Sequence, residues 1–189
     1  MRRQLLLMNK KKLLIRILVA VLIAGSLTVI WIVKTHPTPD SLSKGSPGEL
    51  VKAENEEDFA LETTAIDLDT LKAYDLPIII DFGSDSCIPC QQMAPVLVTM
   101  NAEMQGKAII KFVDVWKYSD AAKDFPIKVI PTQVLINSDG TPYVPSDTIG
   151  IAFTMYSDKD SNEHVFTVHE GPLTEEEMVS ILEDMGVSE

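Results

Sequence analysis

One short stretch, which contains both cysteines of the chain, most constrains its fold and chemistry. Residues 77–82 form an apolar run interrupted only by Asp81, a pattern typical of a strand buried on both faces, and Cys87 and Cys90 follow it. A disulfide between these cysteines would close a loop of four residues and would constrain the unfolded chain by only roughly 2 kcal/mol. The pair is therefore a poor structural cross-link, whereas its spacing suits a redox switch.

The two cysteines have different expected roles because they occupy different places on the helix that follows. We expect this helix over about 87–105, so that Cys87 lies at its start, where unpaired N–H groups and the helix dipole favour a thiolate. Pro89 fits the first turn, where its missing N–H costs nothing. Cys87 is thus the expected nucleophile that forms a mixed disulfide with a substrate, and Cys90 is the expected resolving cysteine.

Asp81 is the candidate proton acceptor for Cys90. It lies six residues before Cys87 and directly follows three isoleucines, which predicts a buried carboxyl group. Burial raises the pKa of a carboxyl, and this suits Asp81 to take the Cys90 proton through water. The alternative is an ordinary surface carboxylate at the end of the strand.

Charge divides the chain into two parts. The first 34 residues carry seven basic residues and no acidic ones, whereas residues 35–189 carry 28 acidic residues against nine basic ones, a net charge of −19. So acidic a body excludes nucleic acid as an expected partner, because binding to nucleic acid depends on neutralising phosphates.

The N-terminal part has the pattern of a membrane anchor. Residues 13–33 are long and apolar enough to cross a bilayer as one helix, and the basic tail 1–12 precedes them. The positive-inside rule then predicts a single-pass plasma-membrane protein with a cytoplasmic N-terminus and an extracytoplasmic body. The alternative is a signal peptide that is cleaved at the small residues 24–26 and also exports the body. The composition of residues 34–57 predicts a flexible linker.

The body, residues 58–189, alternates strand and helix patterns as α/β folds do. We expect strands over 59–66, 77–82, 108–116, 132–137 and 164–169, and helices over 68–74, 87–105, 119–125 and 174–185. Asp67 and Thr174 are expected helix caps, the latter in a capping box with Glu177. Pro95 should bend the long helix, because it removes one backbone hydrogen bond.

The residues around the cysteines resemble the thioredoxin family. The segment IIIDFGSDSCIPCQQMAPVL is similar to that family's strand, active-site turn and kinked helix, and residues 129–132 (VIPT) are similar to its loop with a cis proline. The resemblance covers about 59–186. It implies a central mixed sheet flanked by helices, thiol–disulfide oxidoreductase activity on protein disulfides, and no cofactor. It also implies a cis Ile130–Pro131 bond whose backbone pairs with substrate like an added strand.

The expected substrate contacts include departures from the family pattern. Ser86 stands where the family usually has a tryptophan, which should open the site, and Ile88-Pro89 replace the usual Gly-Pro. We expect these three residues to contact substrate together with Ile130 and Pro131. The dipeptide between the cysteines tunes the redox poise, so the sequence leaves the direction of electron transfer open.

Two further departures concern charge near the site. Asp85 adds a negative charge beside Cys87, which disfavours the thiolate. The family often has a lysine near the buried aspartate, but counting along the strands places Phe112 there, with Lys111 facing the other way. A Lys–Asp pair is therefore not expected to control the proton on Asp81.

About 20 extra residues, 141–163, stand where the family usually has a tight hairpin. Residues 149–156 alternate as an added strand, and residues 158–162 predict a turn. The segment is interpreted as an elaborated hairpin, as a surface for a dedicated partner, or as a calcium loop with an incomplete ligand pattern. No metal is expected, since a zinc site at the cysteines would need ligands from the three histidines, His36, His164 and His169.

These observations predict a membrane-tethered, extracytoplasmic thiol–disulfide oxidoreductase that reduces disulfides of exported proteins. The layout resembles bacterial single-anchor thioredoxins, which implies a membrane electron donor of the thiol-relay type. Two alternatives stay open. The same site would act in the other direction as a disulfide oxidase or isomerase, or the body would be a redox-inert binding module that uses residues 141–163 as its working surface.

Overall fold

The structure is a computed structural model and describes residues 50–188. The basic tail, the apolar segment 13–33, His36 and most of the expected linker lie outside these residues. Within 50–188, no helix is both long and apolar enough to cross a membrane. Residues 50–57 contact the body, since the Val51 N–H donates a hydrogen bond to the Gly106 carbonyl at 3.0 Å.

The described chain alternates strands and helices in the expected order, with one early strand missing. The elements are α1 (Glu56–Phe59), α2 (Leu68–Lys72), β1 (Ile78–Gly83), α3 (Ile88–Glu103), β2 (Ile109–Asp114), a 3₁₀ helix (Ser119–Ala122), β3 (Thr132–Ile136), β4 (Thr154–Ser157), β5 (His164–Glu170) and α4 (Glu175–Asp184). The side chain of Asp67 caps α2, and Thr174 and Glu177 form the expected capping box at α4.

One mixed sheet forms the centre of the domain, in the strand order β2-β1-β3-β5-β4. β1 and β2 are parallel, whereas the other neighbouring strands are antiparallel. The register places Asp81 of β1 between Phe112 of β2 and Gln133 of β3. The mixed sheet with its flanking helices is the expected fold class, and the expected neighbour of Asp81 on β2 is confirmed.

The alternation of β1 decides which side chains reach the active-site helix. All six residues of β1 are buried. Ile79 packs with Met93, Leu97 and Met100 of α3 on one face of the sheet, while its neighbours in β1 pack on the other face. Successive strand residues point to opposite faces, so Asp81 points to the same side as Ile79, beneath α3. Met93, Leu97 and Met100 thus form the buried face of α3.

The expected strand over 59–66 is wrong. Phe59 ends α1, and only Glu62 forms an isolated parallel bridge with Phe112. Lys111 accounts for the difference, because its buried ammonium group donates hydrogen bonds to the carbonyls of Glu57 and Ala60 at 2.5 and 2.8 Å. The segment is held by a side chain rather than by a ladder of backbone hydrogen bonds.

Residues 141–163 are part of the core as well as of the sheet edge. The expected added strand over 149–156 is shorter and later than predicted, since β4 begins at Thr154 and pairs with β5 at the edge of the sheet. Tyr143 is fully buried, and its hydroxyl donates a hydrogen bond to Asp184 Oδ2 at 2.5 Å. The Thr167 hydroxyl donates a hydrogen bond to the Tyr143 carbonyl. The start of the segment is thus fixed to α4 and β5.

Candidate active site

The loop between β1 and α3 presents Cys87 at the start of a helix. Cys87 is the N-cap of α3, and its Sγ accepts a hydrogen bond from the Cys90 N–H at 3.4 Å. The two cysteines form a disulfide with their Cα atoms 5.2 Å apart, so the expected pairing is present. Both cysteines are largely buried, and Cys90 is more buried than Cys87.

The loop before β3 lies against the disulfide. The Ile130–Pro131 peptide bond is cis, as the sequence resemblance implied. The carbonyl oxygen of Ile130 lies 3.8 Å from Cys87 Sγ. Hydrogen bonds hold this loop in place, from the Gly171 N–H to the Pro131 carbonyl and from the Thr132 hydroxyl to the Val129 carbonyl. The structure therefore brings the loop and the cysteines together.

An exposed rim surrounds the disulfide. Ile88, between the two cysteines, is 69% exposed, and Val129, directly before Ile130, is 51% exposed. Ser86 and Pro89 are also exposed, whereas Ile130 is half-buried. Apart from the buried Pro131, the expected substrate-contacting residues are thus accessible on the surface around Cys87.

Asp81 is a buried carboxyl beneath the disulfide. It is 1% exposed, and its Oδ1 accepts a hydrogen bond from Gln133 Nε2 at 2.6 Å. Its Oδ2 accepts no hydrogen bond from any described residue. Burial raises the pKa of Asp81 to about 7, although the hydrogen bond from Gln133 opposes the rise. The alternative of a surface carboxylate is excluded, and the predicted raised pKa is supported.

Asp81 lies close to the sulfur of Cys90. A Cβ atom built on Gly83 would stand 3.2 Å from Asp81 Oδ2 and 3.3 Å from Cys90 Sγ. The two atoms are therefore at most about 6.5 Å apart, the sum of these distances. Within this limit a proton can pass between the two atoms directly or through one water molecule, since each hydrogen bond of a water spans roughly 3 Å.

A second carboxylate, which the sequence did not single out, fixes the loop before Cys87. Asp114 accepts hydrogen bonds from the backbone N–H groups of Asp85, Trp116 and Lys117 at 3.0–3.1 Å. Burial raises the pKa of Asp114, but these hydrogen bonds outweigh it, so its pKa is below the ordinary value. Asp114 thus ties the β1–α3 loop to the loop after β2.

The charge of Asp85 is paired. The ammonium group of Lys117 forms an ion pair with the Asp85 carboxylate and lies 3.4 Å from Asp114 Oδ2. Lys117 thus offsets the negative charge that Asp85 adds near Cys87. Sequence reading missed Lys117 because it lies 32 residues away from Asp85, on a different loop.

Two other residues, Gln133 and Lys111, show which contacts of the site could be predicted from the sequence. Gln133, which holds Asp81, lies opposite it on the antiparallel neighbour strand. A glutamine directly before the apolar run Val134–Ile136 was a detectable signal for a buried polar partner. Lys111 points away from Asp81, as expected, and holds α1 instead.

The described histidines have structural contacts. His164 Nε2 lies 2.9 Å from the Thr167 hydroxyl, and His169 Nδ1 lies 2.9 Å from the Ala152 carbonyl. Across residues 50–188 no group of three or more His, Cys, Asp or Glu side chains is placed to hold a metal. Within the calcium-loop candidate, Asp158 Oδ1 accepts hydrogen bonds from the N–H groups of Asp160 and Ser161, so it closes a turn.

Comparison with known proteins agrees with this geometry. The thioredoxin family model matches residues 61–151, a range that includes both cysteines, Asp81 and the cis proline. Residues 61–151 form a thioredoxin-family domain. Thioredoxin 1 of Chlorobaculum tepidum is 36% identical over 67 residues, which are 35% of this chain and 66% of the relative. Thioredoxin C-2 of Corynebacterium nephridii is 39% identical over 64 residues, 34% of this chain and 58% of the relative.

The match to each relative is partial. The chain spans about two thirds or less of the length of these two thioredoxins, and 42% of Thioredoxin Y1 of Arabidopsis thaliana. Among solved structures, chloroplastic thioredoxin z is 21% identical to this chain, with a TM-score of 0.48. The alignment covers 68% of this chain and 96% of the thioredoxin z chain. Residues 152–188, which contain β4, β5 and α4, lie beyond the family match.

Proposed function

We propose that this protein is a thiol–disulfide oxidoreductase that reduces disulfides of exported proteins through Cys87 and Cys90. One observation carries the proposal. A disulfide at the N-terminus of a helix lies beside the cis-proline loop and within one water of a buried carboxyl whose pKa is near neutrality. A structural cross-link needs none of these neighbours.

The reduced protein acts in two steps. The Cys87 thiolate, favoured by the start of α3, attacks one sulfur of the substrate disulfide and forms a mixed disulfide, and the other substrate sulfur leaves. Cys90 then gives its proton to Asp81 and attacks the Cys87 sulfur. The Cys87–Cys90 bond forms, the bond to the substrate breaks, and the substrate leaves with both electrons as a thiolate. The pKa of Asp81, about 7, suits it to accept this proton near neutral pH.

The substrate is an extended segment of a protein. The half-buried Ile130 offers its backbone beside Cys87 Sγ, where a substrate chain pairs as an added strand. The exposed side chains of Ile88, between the cysteines, and Val129, next to Ile130, offer apolar contacts to the substrate. Ser86 and Pro89 complete the rim, and the small Ser86 leaves access to Cys87.

The sequence before the domain supports the proposed location. The basic residues 1–12 and the apolar segment 13–33 favour a single-pass anchor in the plasma membrane with the thioredoxin domain outside the cytoplasm. An extracytoplasmic reductant has no access to cytoplasmic electron donors. We therefore propose a membrane protein of the thiol-relay type as the donor that reduces the Cys87–Cys90 disulfide after each cycle.

A second candidate function rests on the residues between the cysteines. Ile88-Pro89 replace the Gly-Pro usual in thioredoxins, and this dipeptide lies directly on the disulfide loop. With a different redox poise the same site oxidises or isomerises protein disulfides. The two candidates share every residue of the site and differ in the direction of electron transfer.

Trapping of the mixed disulfide tests the shared chemistry. The Cys90→Ser variant keeps the nucleophile but cannot resolve the intermediate, so it should accumulate substrate proteins that a reducing agent releases. Cys87→Ser is the matched control and should trap none. Equal trapping by both variants, or none by either, would leave the disulfide without the proposed role and point to a redox-inert binding module.

A further inference from the structure

Residues 61–63 cover the outer edge of β2 and leave a backbone edge of their own open. The Phe112 N–H donates a hydrogen bond to the Leu61 carbonyl at 2.7 Å, and the Thr63 N–H donates one to the Phe112 carbonyl at 3.0 Å. Because these two groups face β2, the N–H and carbonyl of Glu62 between them face the other way. Glu62 is exposed, and no backbone group within residues 50–188 bonds to it. An extended chain can therefore pair with Glu62 as an added strand.

This open edge lies beside the active site, on the side away from the cis-proline loop. β1 lies between β2 and β3 in the sheet, so the loops after β2 and before β3 flank the loop that carries Cys87. A cleft of about 220 Å³ adjoins the edge, and Glu62, Leu97 of α3 and Cys90 line it. A chain that pairs with Glu62 would thus lie next to the active-site helix.

Two further clefts adjoin the first one along the same segment. The second, about 270 Å³ in volume, shares Glu62, Asp85 and Phe112 with the first. The third, about 210 Å³ in volume, shares residues 63–64 with the second. We name these three clefts, which follow residues 61–64, the β2-side groove.

The β2-side groove is acidic, and its basic side chains are already engaged. Six acidic and two basic residues line it, namely Glu57, Asp58, Glu62, Asp67, Asp85 and Asp114 with Lys111 and Lys117. Lys117 is paired with Asp85, and Lys111 donates its hydrogen bonds to two backbone carbonyls. The surplus of carboxylates favours a basic partner and repels an acidic one.

Apolar walls between the carboxylates match the same kind of side chain. Leu61, Leu97 and Phe112 line the first cleft together with Glu62 and Asp85. A lysine or arginine packs its aliphatic stem on apolar surface and extends its charged end to a carboxylate. The groove thus fits an extended chain that carries basic side chains.

We propose that the β2-side groove docks an extended, basic segment of the protein substrate, which pairs with the backbone of Glu62. The inference rests on the proposed function, because it gives a second contact to the substrate that Cys87 attacks. Ile130 pairs with the residues around the substrate cysteine on one side of the disulfide. The groove holds a lysine- or arginine-containing segment of the same substrate on the other side.

Peptide binding tests the groove without a redox step. Full-length oxidised protein is titrated into a fluorescein-labelled ten-residue peptide of alternating lysine and threonine, and the anisotropy is measured at low salt. The matched peptide has glutamate in place of every lysine. The lysine peptide should bind at least about tenfold more tightly, and this preference should shrink at 1 M salt, where charges are screened beyond about 3 Å. N-methylation of alternate peptide bonds should weaken binding at least about fivefold, because it prevents strand pairing.

Glu62→Gln locates the binding site. It removes one carboxylate from the groove and should weaken binding of the lysine peptide about threefold, a size typical of one exposed charge pair. Glu176→Gln is the matched control, because exposed Glu176 of α4 lines none of the three clefts and its replacement removes the same charge. It should leave binding within about 1.5-fold. Equal weakening by both variants would show an unspecific attraction to the acidic domain and overturn the inference. Equal binding of the two peptides, or no binding of either, would also overturn it.

A reduction experiment assigns the bound segment to the substrate. A cysteine is added to the end of each peptide, the peptides are oxidised to disulfide-linked dimers, and their reduction by the Cys87–Cys90 dithiol is compared with reduction by dithiothreitol. Relative to dithiothreitol, the protein should reduce the lysine dimer about tenfold faster than the glutamate dimer, and Glu62→Gln should lower this ratio about threefold. Equal rates despite tighter binding of the lysine peptide would assign the groove to another partner and overturn the inference. Reduction of neither dimer would instead overturn the proposed function, whatever the binding result, so the two failures are distinguishable.

Discussion

Asp81 is the residue at which stability and chemistry conflict. Its carboxyl is almost fully buried and accepts a hydrogen bond at Oδ1 only. Ionising such a group costs free energy in the folded state, because burial removes its hydration. The fold keeps a costly carboxyl beside the disulfide, where a proton acceptor with a pKa near 7 is useful.

Asp81→Asn should therefore stabilise the oxidised protein in a pH-dependent way. The pKa rises from 3.8 in the unfolded chain to about 7 in the folded protein. The cost of Asp81 is thus absent below about pH 4, grows as pH rises, and is complete above pH 7. At 1.36 kcal/mol per pKa unit, the free energy of unfolding at pH 8 should increase by up to about 4 kcal/mol. Urea unfolding at pH 4, 6 and 8 measures it.

A stability gain of equal size at all three pH values would contradict this origin. The conservative Asp81→Glu variant is a useful control, because it keeps an ionisable group. Its stability should still fall as pH rises from 4 to 8.

The ion pair between Lys117 and Asp85 should set the reactivity of Cys87. Lys117→Gln leaves the Asp85 charge uncompensated near the thiolate. Alkylation of Cys87 by iodoacetamide at pH 6.5 should slow about twofold at low salt, since exposed charges interact weakly across water. Asp85→Asn should change the rate in the opposite direction. An effect that persists unchanged at 1 M salt would be evidence against a Coulombic cause, because screening is strong there.

At the scale of elements, local sequence patterns predicted the strands and helices well. The apolar run of β1 and the position of Cys87 at the start of α3 follow from neighbouring residues, and the structure confirms them. Contacts between elements were harder to predict. Three residues, Gln133, Asp114 and Lys117, reach the site only because particular strands and loops are neighbours in the sheet. The order of strands in the sheet cannot be read from a single sequence.

The strand expected over 59–66 failed for a related reason. Its alternation favours a strand, yet the buried Lys111 ammonium takes the carbonyls of this segment. Tertiary contacts override a weak local pattern when a buried cation needs acceptors. The segment is still near the site, since Leu61 and Glu62 line the cleft that reaches Cys90.

The segment 141–163 should be tied to the stability of the last helix through Tyr143. The Tyr143 hydroxyl donates to Asp184 Oδ2, so Tyr143→Phe should lower the free energy of unfolding by about 1–2 kcal/mol at pH 7. The pKa of Asp184 is lowered by hydrogen bonds from Ser146 and Tyr143. The loss should thus be present above the ordinary aspartate pKa and disappear as pH falls through the lowered one.

Tyr118→Phe is the matched control, because Tyr118 is 42% exposed and its variant should be neutral. Equal losses from both substitutions would show that the hydrogen bond to Asp184 does not anchor the segment. An effect confined to Tyr143 would favour an elaborated hairpin that is integral to the domain.

For the whole molecule, the sequence predicted the fold class from one motif and its neighbours. The motif predicted the fold class because the site requires the strand, the helix start and the cis proline together and in this order. The course of residues 141–163 could not be predicted in detail. Strand β4 pairs with β5 at the sheet edge, and its Thr154–Ser157 limits depend on a partner later in the chain.

Anchoring is a prediction about the whole chain. Residues 13–33 should keep the protein in the membrane fraction after extraction at alkaline pH, whereas a chain without residues 1–33 should be released. Protease added to intact cells with permeable outer layers should digest the domain. Protection of the domain until the cytoplasm is opened would contradict the proposed orientation.

The reduction potential of the Cys87–Cys90 disulfide decides whether the protein is a reductant. The full-length protein is equilibrated with dithiothreitol or glutathione buffers, with the Cys87→Ser variant as the inactive control, and 30 mV corresponds to about 1.4 kcal/mol for this two-electron couple. We expect a value near about −270 mV or lower, as in reducing thioredoxins. A value of about −120 to −180 mV would contradict the proposed direction and assign the site to oxidation or isomerisation.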